Sequence, residues 1–197
     1  MRIISDFKDY YDEYFNENAS MTYERVRKGL GRGRELKILK ALGIKTIEVK
    51  AVSEFDISNS HLVVYTNPLK HDYQGKKIVE YGEAQIMYDN HLASKFIEEA
   101  NGITFKYLQI GTRRFRVYMK NDVPLELKRG RVIEIQEIQS VGYRQFKSNP
   151  IFSIDYINIG GEMVAIDFNE VQNLGELGLE EVMDAKAVTE EVIKVSR

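Results

Sequence analysis

Between Arg25 and Arg34 arginines and glycines are interleaved, in the order Arg-Val-Arg-Lys-Gly-Leu-Gly-Arg-Gly-Arg. Glycine tolerates positive φ, so alternate glycines at Gly29, Gly31 and Gly33 let successive N–H groups turn into one concavity, to which a following helix adds the positive end of its dipole. That arrangement is a cradle for phosphate oxygens. Arg25, Arg27, Arg32 and Arg34 would bring charge-assisted, bidentate contacts to the same anion. No Lys-Ser/Thr pair follows the glycines, and their order is not the dinucleotide one. The stretch therefore points to binding of a phosphate-bearing small molecule or nucleotide, not to nucleoside-triphosphate hydrolysis. A solvated basic loop is the competing reading.

A second basic surface is expected on the strand Thr112–Met119. Alternation sets Phe115, Val117 and Met119 on one face and Arg114, Arg116 and Tyr118 on the other. Arginine for phosphate and Tyr118 for base stacking would suit a nucleotide, although any solvated sheet face carries such residues. Carboxylates come next. Asp155 and Asp167 sit on two strands joined at Gly160-Gly161, and pairing about that turn opposes residues whose numbers sum to roughly 321. Asp155 then faces Ile166, and acid/base catalysis by the two aspartates is not indicated. No catalytic residue is assigned. The three histidines, His61, His71 and His91, lack ligand spacing and there is no cysteine, so neither a metal site nor a cofactor is expected. Asp9, Asp12 and Glu13 fall in the first turns of a helix, where acids complement the dipole.

Positioning these residues requires a mixed, largely antiparallel α+β fold. Ile3, Ile4, Phe7, Tyr10, Tyr11, Tyr14 and Phe15 recur at helical spacing and predict an N-terminal aromatic helix over 5–16. Strand 22–28, the glycine segment, a short helix 34–42 ending at Gly43, and strand 45–52 follow. His61–Thr66 is a buried strand, Lys77–Tyr81 its return, and Asn90–Ala100 a helix on Leu92, Phe96, Ile97 and Ala100. Hairpins are predicted for Ile103–Ile110 with Thr112–Met119 and for Ile151–Ile159 with Glu162–Phe168, and a strand for Arg131–Ile138. Residues 179–195 complete the chain as an amphipathic, acidic C-terminal helix. All 197 residues are assigned to a single domain: helix 5–16, a mixed α/β part 22–100, antiparallel hairpins 103–168 and helix 179–195.

Apolar residues make up 43% and charged residues 29%, a balance that excludes global disorder and a helical membrane span. The net charge of −2 conceals segregation. Residues 22–40 carry seven bases against two acids, a second basic block spans 101–147, and Lys186 is the only base between Asp155 and Glu191. An acidic face can match a basic one within the chain, dock a second copy or meet another protein. The absence of cysteine and of a secretory leader predicts a cytoplasmic setting.

The opening Ile3-Ile4-Ser5-Asp6-Phe7-Lys8-Asp9-Tyr10-Tyr11-Asp12 resembles the start of an uncharacterised tailed-bacteriophage protein family that begins with an I-S-x-F-x-D-Y-Y-D string. The hairpin from Pro150 to Phe168 and the C-terminal helix resemble that family's ending. The resemblance implies a phage origin and a host-cytoplasm setting, and it carries no reaction. Three functions follow: capture of a nucleotide, including a signal of host immunity; an interaction module that inhibits or redirects a host enzyme; and a nucleotide-processing enzyme using Asp155 or Asp167 with arginines.

Overall fold

The computed structural model describes residues 32–67, 75–128, 130–139 and 151–169, together with Ala187 and Glu190, both helical. The expected helix over 5–16, the strand 22–28 and nearly all of the C-terminal helix lie outside the described residues, as do Arg25, Arg27, Gly29 and Gly31.

Helix α1 (Arg32–Ala41) begins two residues before the predicted start, so Gly33 and Arg34 belong to its first turn and not to a loop ahead of it. Leu36 and Leu39 are buried. The helix ends at Gly43 (φ 79°), where Gly43 N–H donates to Lys40 C=O (3.0 Å) and Ile44 N–H to Leu39 C=O (3.0 Å).

The expected single mixed sheet is instead two antiparallel sheets. The smaller contains β1 (Lys50–Ala51), β2 (His61–Val64), β3 (Lys77–Glu80) and β4 (Leu92–Lys95), in the order β1-β4-β2-β3, with helix α2 (Tyr81–Tyr88) between β3 and β4. Leu62, Val64, Val79 and Ala93 point to one side of this sheet and pack with Val52, Phe55 and Ala84 of α2. The helix predicted over Asn90–Ala100 is corrected by β4. Leu92, Phe96, Ile97 and Ala100 have helical spacing, but β4 fills the centre of the small sheet between β1 and β2, burying Ala93 and Ser94. Local periodicity yields there to a demand for sheet pairing. The helix that does form, α2, has Ile86 86% exposed and no clean apolar stripe.

The larger sheet holds β5 (Ile103–Ile110), β6 (Arg113–Lys120), β7 (Arg131–Glu137), β8 (Ile151–Ile159) and β9 (Glu162–Asn169), ordered β7-β6-β5-β8-β9. Both predicted hairpins are present. Gly160 (φ 58°) and Gly161 (φ 87°) supply the two left-handed positions of the tight β8–β9 turn. One face of β8 and β9 packs on α1 through Phe152, Ile154, Ala165 and Phe168, with Leu36 and Leu39. The opposite face of the sheet looks towards the small one.

The predicted strand 45–52 is divided between the two sheets. Ala165 of β9 donates N–H to Lys45 C=O (2.8 Å) and accepts from Ile47 N–H (2.8 Å), a parallel bridge at Thr46, whereas Lys50 and Ala51 pair with β4. This one segment therefore ties the sheets together.

At the far edge, Arg113 grips Glu137 of β7 with two parallel bonds, Nε to Oε1 (2.7 Å) and a terminal nitrogen to Oε2 (2.5 Å). That hydrogen-bonded guanidinium holds the Glu137 carboxyl below the usual glutamate range. The pair's contribution is complete above the ordinary glutamate pKa and fades as pH falls through the lowered value, and its surface position limits it to about 1 kcal/mol. NMR titration should find Glu137 at a lower midpoint than ordinary exposed glutamates, returning to their range in Arg113→Gln.

Candidate functional site

A cleft of about 390 Å³ lies between the facing sides of the two sheets. The small sheet contributes Val63, Tyr65, Ser94 and Lys95, with Tyr65 Oη and Ser94 Oγ hydrogen-bonded at 3.0 Å. Phe96 and Ile97 follow β4 as it leaves that sheet, and Ile103, Met119 and Ile157 supply the apolar floor of the larger one. Such a slot, with apolar walls and several polar and charged groups, suits a small ligand.

The polar groups converge at one place on the large sheet. Lys106 of β5 is only 5% exposed. Its ammonium bonds the Asp155 carboxylate on β8 and Ser153 Oγ (3.2 Å). Across the next strand pair stands Asp167 of β9, 9% exposed, whose Oδ1 accepts from Phe168 N–H (2.8 Å) and whose Oδ2 is 3.9 Å from Lys76 Nζ. Asn169 also lines the cleft.

Here the structure overturns the pairing expected from the turn. Residues from Ile159↔Glu162 to Tyr156↔Ala165 follow the predicted sum, but the register then shifts by one and Asp155 opposes Asp167 directly. Ile166 is the extra residue of a β-bulge. Ala165 and Phe168, three apart, both enter the α1 core, and Ile166 and Asp167, consecutive, both line the cleft. A regular strand forbids both patterns.

Of the residues singled out from sequence, Arg32, Gly33 and Arg34 open α1. Arg114, Arg116 and Tyr118 occupy the sheet face opposite the cleft, in the alternation expected. Arg116 bonds Gln136 Oε1 (2.7 Å) and stacks over Tyr118 (4.9 Å), and the Tyr118 ring meets Phe105 edge-on. Arg114 Nε is buried with no hydrogen-bond partner among the described residues. The sequence reading missed Lys106, Lys76 and Asn169. The available signals were a lysine in the middle of the strand Ile103–Ile110 and the alternating polar pairs Ser153/Asp155 and Asp167/Asn169.

The rim is closed by 121–128 and Gly130. Asn121 N–H donates to Gly102 C=O (2.9 Å), and Asn121 Nδ2 donates to Glu126 C=O (2.7 Å). Gly102 has φ 69°, and a Cβ there would stand 2.1 Å from Asn121 O.

By sequence the chain matches no family model and no curated protein. By fold it is similar to solved ligase and macrocyclase structures. D-alanine–D-alanine ligase from Helicobacter pylori superposes with TM-score 0.50 at 14% identity, over 85% of this chain and 58% of that one. The macrocyclase MdnB from Microcystis aeruginosa gives 0.50 at 11% identity, over 87% and 61%. MdnC from the same organism, bound with its precursor peptide MdnA, gives 0.50 at 11%, over 83% and 60%. At these identities the likeness is one of fold, and the chain spans about three-fifths of the length of those proteins. No helix among the described residues is long and apolar enough to cross a membrane.

Gly102→Ala is expected to cost at least about 2 kcal/mol through positive φ and backbone overlap. Thermal unfolding should register it, and an unshifted midpoint would contradict the described packing of the rim.

Proposed function

We propose that the cleft between the sheets binds a nucleotide, with its polyphosphate at Lys106, Lys76 and the Asp155–Asp167 pair. One observation carries the reading: Lys106, Lys76 and two directly opposed carboxylates line one slot together with apolar walls. The slot offers a base its apolar walls, and the lysines offer phosphate their ammonium groups. The solved structures that share the fold at TM-score 0.50 are a D-alanine–D-alanine ligase and two macrocyclases, a setting in which a small-molecule cleft between sheets is in keeping with this reading.

Carboxylates alone would repel a polyphosphate, so the pair belongs with a divalent cation. Asp155, Asp167 and Asn169 form an oxygen-only donor set, which fits Mg²⁺ and disfavours softer metals. Among the described residues there is no group of three or more carboxylate or histidine ligands. Two carboxylates match the usual Mg²⁺ arrangement, in which phosphate oxygens and water complete the shell. Bound there, Mg²⁺ would neutralise phosphate charge and make the terminal phosphorus more electrophilic. The protein's part is to hold Asp155 and Asp167 on one face, to anchor phosphate oxygens with Lys106, and to exclude water with Phe96, Ile97 and Met119.

The opposed carboxylates also favour a second reading, in which the nucleotide is processed and not merely held. In the phage setting implied by the ends of the chain, a binder would sequester a nucleotide signal and an enzyme would consume it.

Calorimetry with ATP and a panel of other nucleotides, each with and without Mg²⁺, tests the proposal. Saturable, Mg²⁺-dependent binding is expected, reduced about 10- to 100-fold in Lys106→Met, the loss typical of one charge-assisted contact. Absence of binding by every nucleotide would overturn it. Chromatography of the recovered nucleotide separates holding from processing.

A further inference from the structure

We propose that the outer face of the large sheet, on the side away from the cleft, binds the phosphodiester backbone of a single-stranded nucleic acid along β6, independently of any nucleotide in the cleft.

The face is built of cross-strand rungs. Gln109 of β5 stands opposite Arg114 of β6, Tyr107 opposite Arg116 and Gln136 of β7, and Phe105 opposite Tyr118 and Glu134. Towards β8 this side packs under α1, where Phe152 and Ile154 are buried. At β6 and β7 it opens to solvent, with Arg116, Glu134 and Gln136 exposed. Arg114, Arg116 and Lys120 alternate along β6 and Arg131 faces Lys120, against one carboxylate, Glu134, at the same rungs. Asp122 offsets the far end, 3.9 Å from Lys120 Nζ and 3.2 Å from Arg131 Nε. The uncompensated charge is therefore concentrated at Arg114 and Arg116.

Acceptors within the face are already engaged. Gln136 Oε1 accepts from Arg116 (2.7 Å), and Gln109 Oε1 accepts from Tyr107 Oη (3.0 Å). What each carboxamide has left to present is its NH₂, a donor. Arg114 stands among these donors, and its Nε has no hydrogen-bond partner among the described residues. A guanidinium does not lose its proton to relieve this, so the missing acceptor has to come from outside. An anion gives Arg114 a reason to turn outward, exchanging an orphaned donor for a charge-assisted bond.

Spacing selects a polymer over a small anion. Same-face residues of a strand recur every two residues, about 7 Å, so Arg114, Arg116 and Lys120 cannot all reach one phosphate but can meet those of an extended chain. Arg116 lies over the Tyr118 ring (4.9 Å), which meets Phe105 edge-on. The middle of the face thus offers a guanidinium-on-aromatic stack against which a base can lie. An acidic peptide would use the charge but not the stack.

Fluorescence polarisation with single-stranded DNA and RNA oligomers of about ten nucleotides tests the proposal, with polyglutamate as the comparison anion. Saturable binding of at least one oligomer is expected, and the two arms distinguish deoxyribose from ribose chains. Arg114→Ala/Arg116→Ala should weaken it at least tenfold and flatten the slope of log K against log salt by about 1.4, the loss of two phosphate contacts. The same double variant should bind ATP as the wild type does, which separates this face from the cleft. Gln136→Glu keeps an acceptor for Arg116 but replaces a donor with a carboxylate oxygen, and should weaken binding at least threefold. Tyr118→Leu should weaken it about tenfold with the salt slope unchanged. If a variant does not fold, photo-cross-linking of an iodouracil-containing oligomer to the wild-type protein takes its place, with adducts expected on the β5–β6 hairpin. Binding of neither oligomer, equal affinity for polyglutamate, undiminished binding in the folded double variant, or adducts confined to cleft residues such as Tyr65 and Phe96 would overturn the proposal. None of those results bears on the nucleotide reading, which stands or falls on the ATP calorimetry.

Discussion

Two carboxylates stand directly opposite each other on neighbouring strands, and both are largely shielded from water. Opposed side chains in such a pair are about 5 Å apart, where like unit charges repel by roughly 3 kcal/mol at an effective dielectric of ~20. The fold meets this constraint with cations brought from outside the hairpin. Lys106 comes from β5 and Lys76 from the segment that leads into β3 of the other sheet. The large sheet and the small sheet are thus linked through charge at the same point where a ligand would enter. Removing one lysine would take a cation from a largely buried carboxylate, which is more costly than losing an exposed pair.

The rest of the architecture serves that point. Helix α1 covers the back of β8 and β9 and leaves their other side to face the cleft. The 45–51 segment joins the sheets by backbone bonds, to Ala165 at one end and to β4 at the other. Gly102 lets Asn121 and Pro124 of the rim lie directly against the start of β5.

Much of this was legible in the amino-acid order. The large-sheet hairpins were, because Gly111 and Gly160-Gly161 mark their turns and the strands beside them alternate cleanly. The alternation of Phe115, Val117 and Met119 against Arg114, Arg116 and Tyr118 was also readable. Other features were not. Residues 90–100 have helical spacing and yet supply β4, because the small sheet needs a central strand and local pattern carries no record of that need. The site was missed for a related reason. A turn fixes the register only as far as the first irregularity, and the extra residue at Ile166 reverses the side of everything after it. Its one local trace is that Ala165 and Phe168 share a core at a spacing no regular strand allows. The glycine-arginine segment drew attention because its composition is unusual, whereas Lys106 is a single lysine in an ordinary strand and gains its meaning only from Asp155, 49 residues away.

The central claim is that a nucleotide sits between the sheets with its metal at Asp155 and Asp167. A crystal structure of the protein with Mn²⁺ and a non-hydrolysable ATP analogue, using the anomalous signal of manganese, tests it most directly. The account predicts an anomalous peak within coordination distance of both carboxylates, with phosphate oxygens beside Lys106. An analogue bound instead at the start of α1 or on the Arg114–Arg116 face, with no manganese at the aspartate pair, would contradict it.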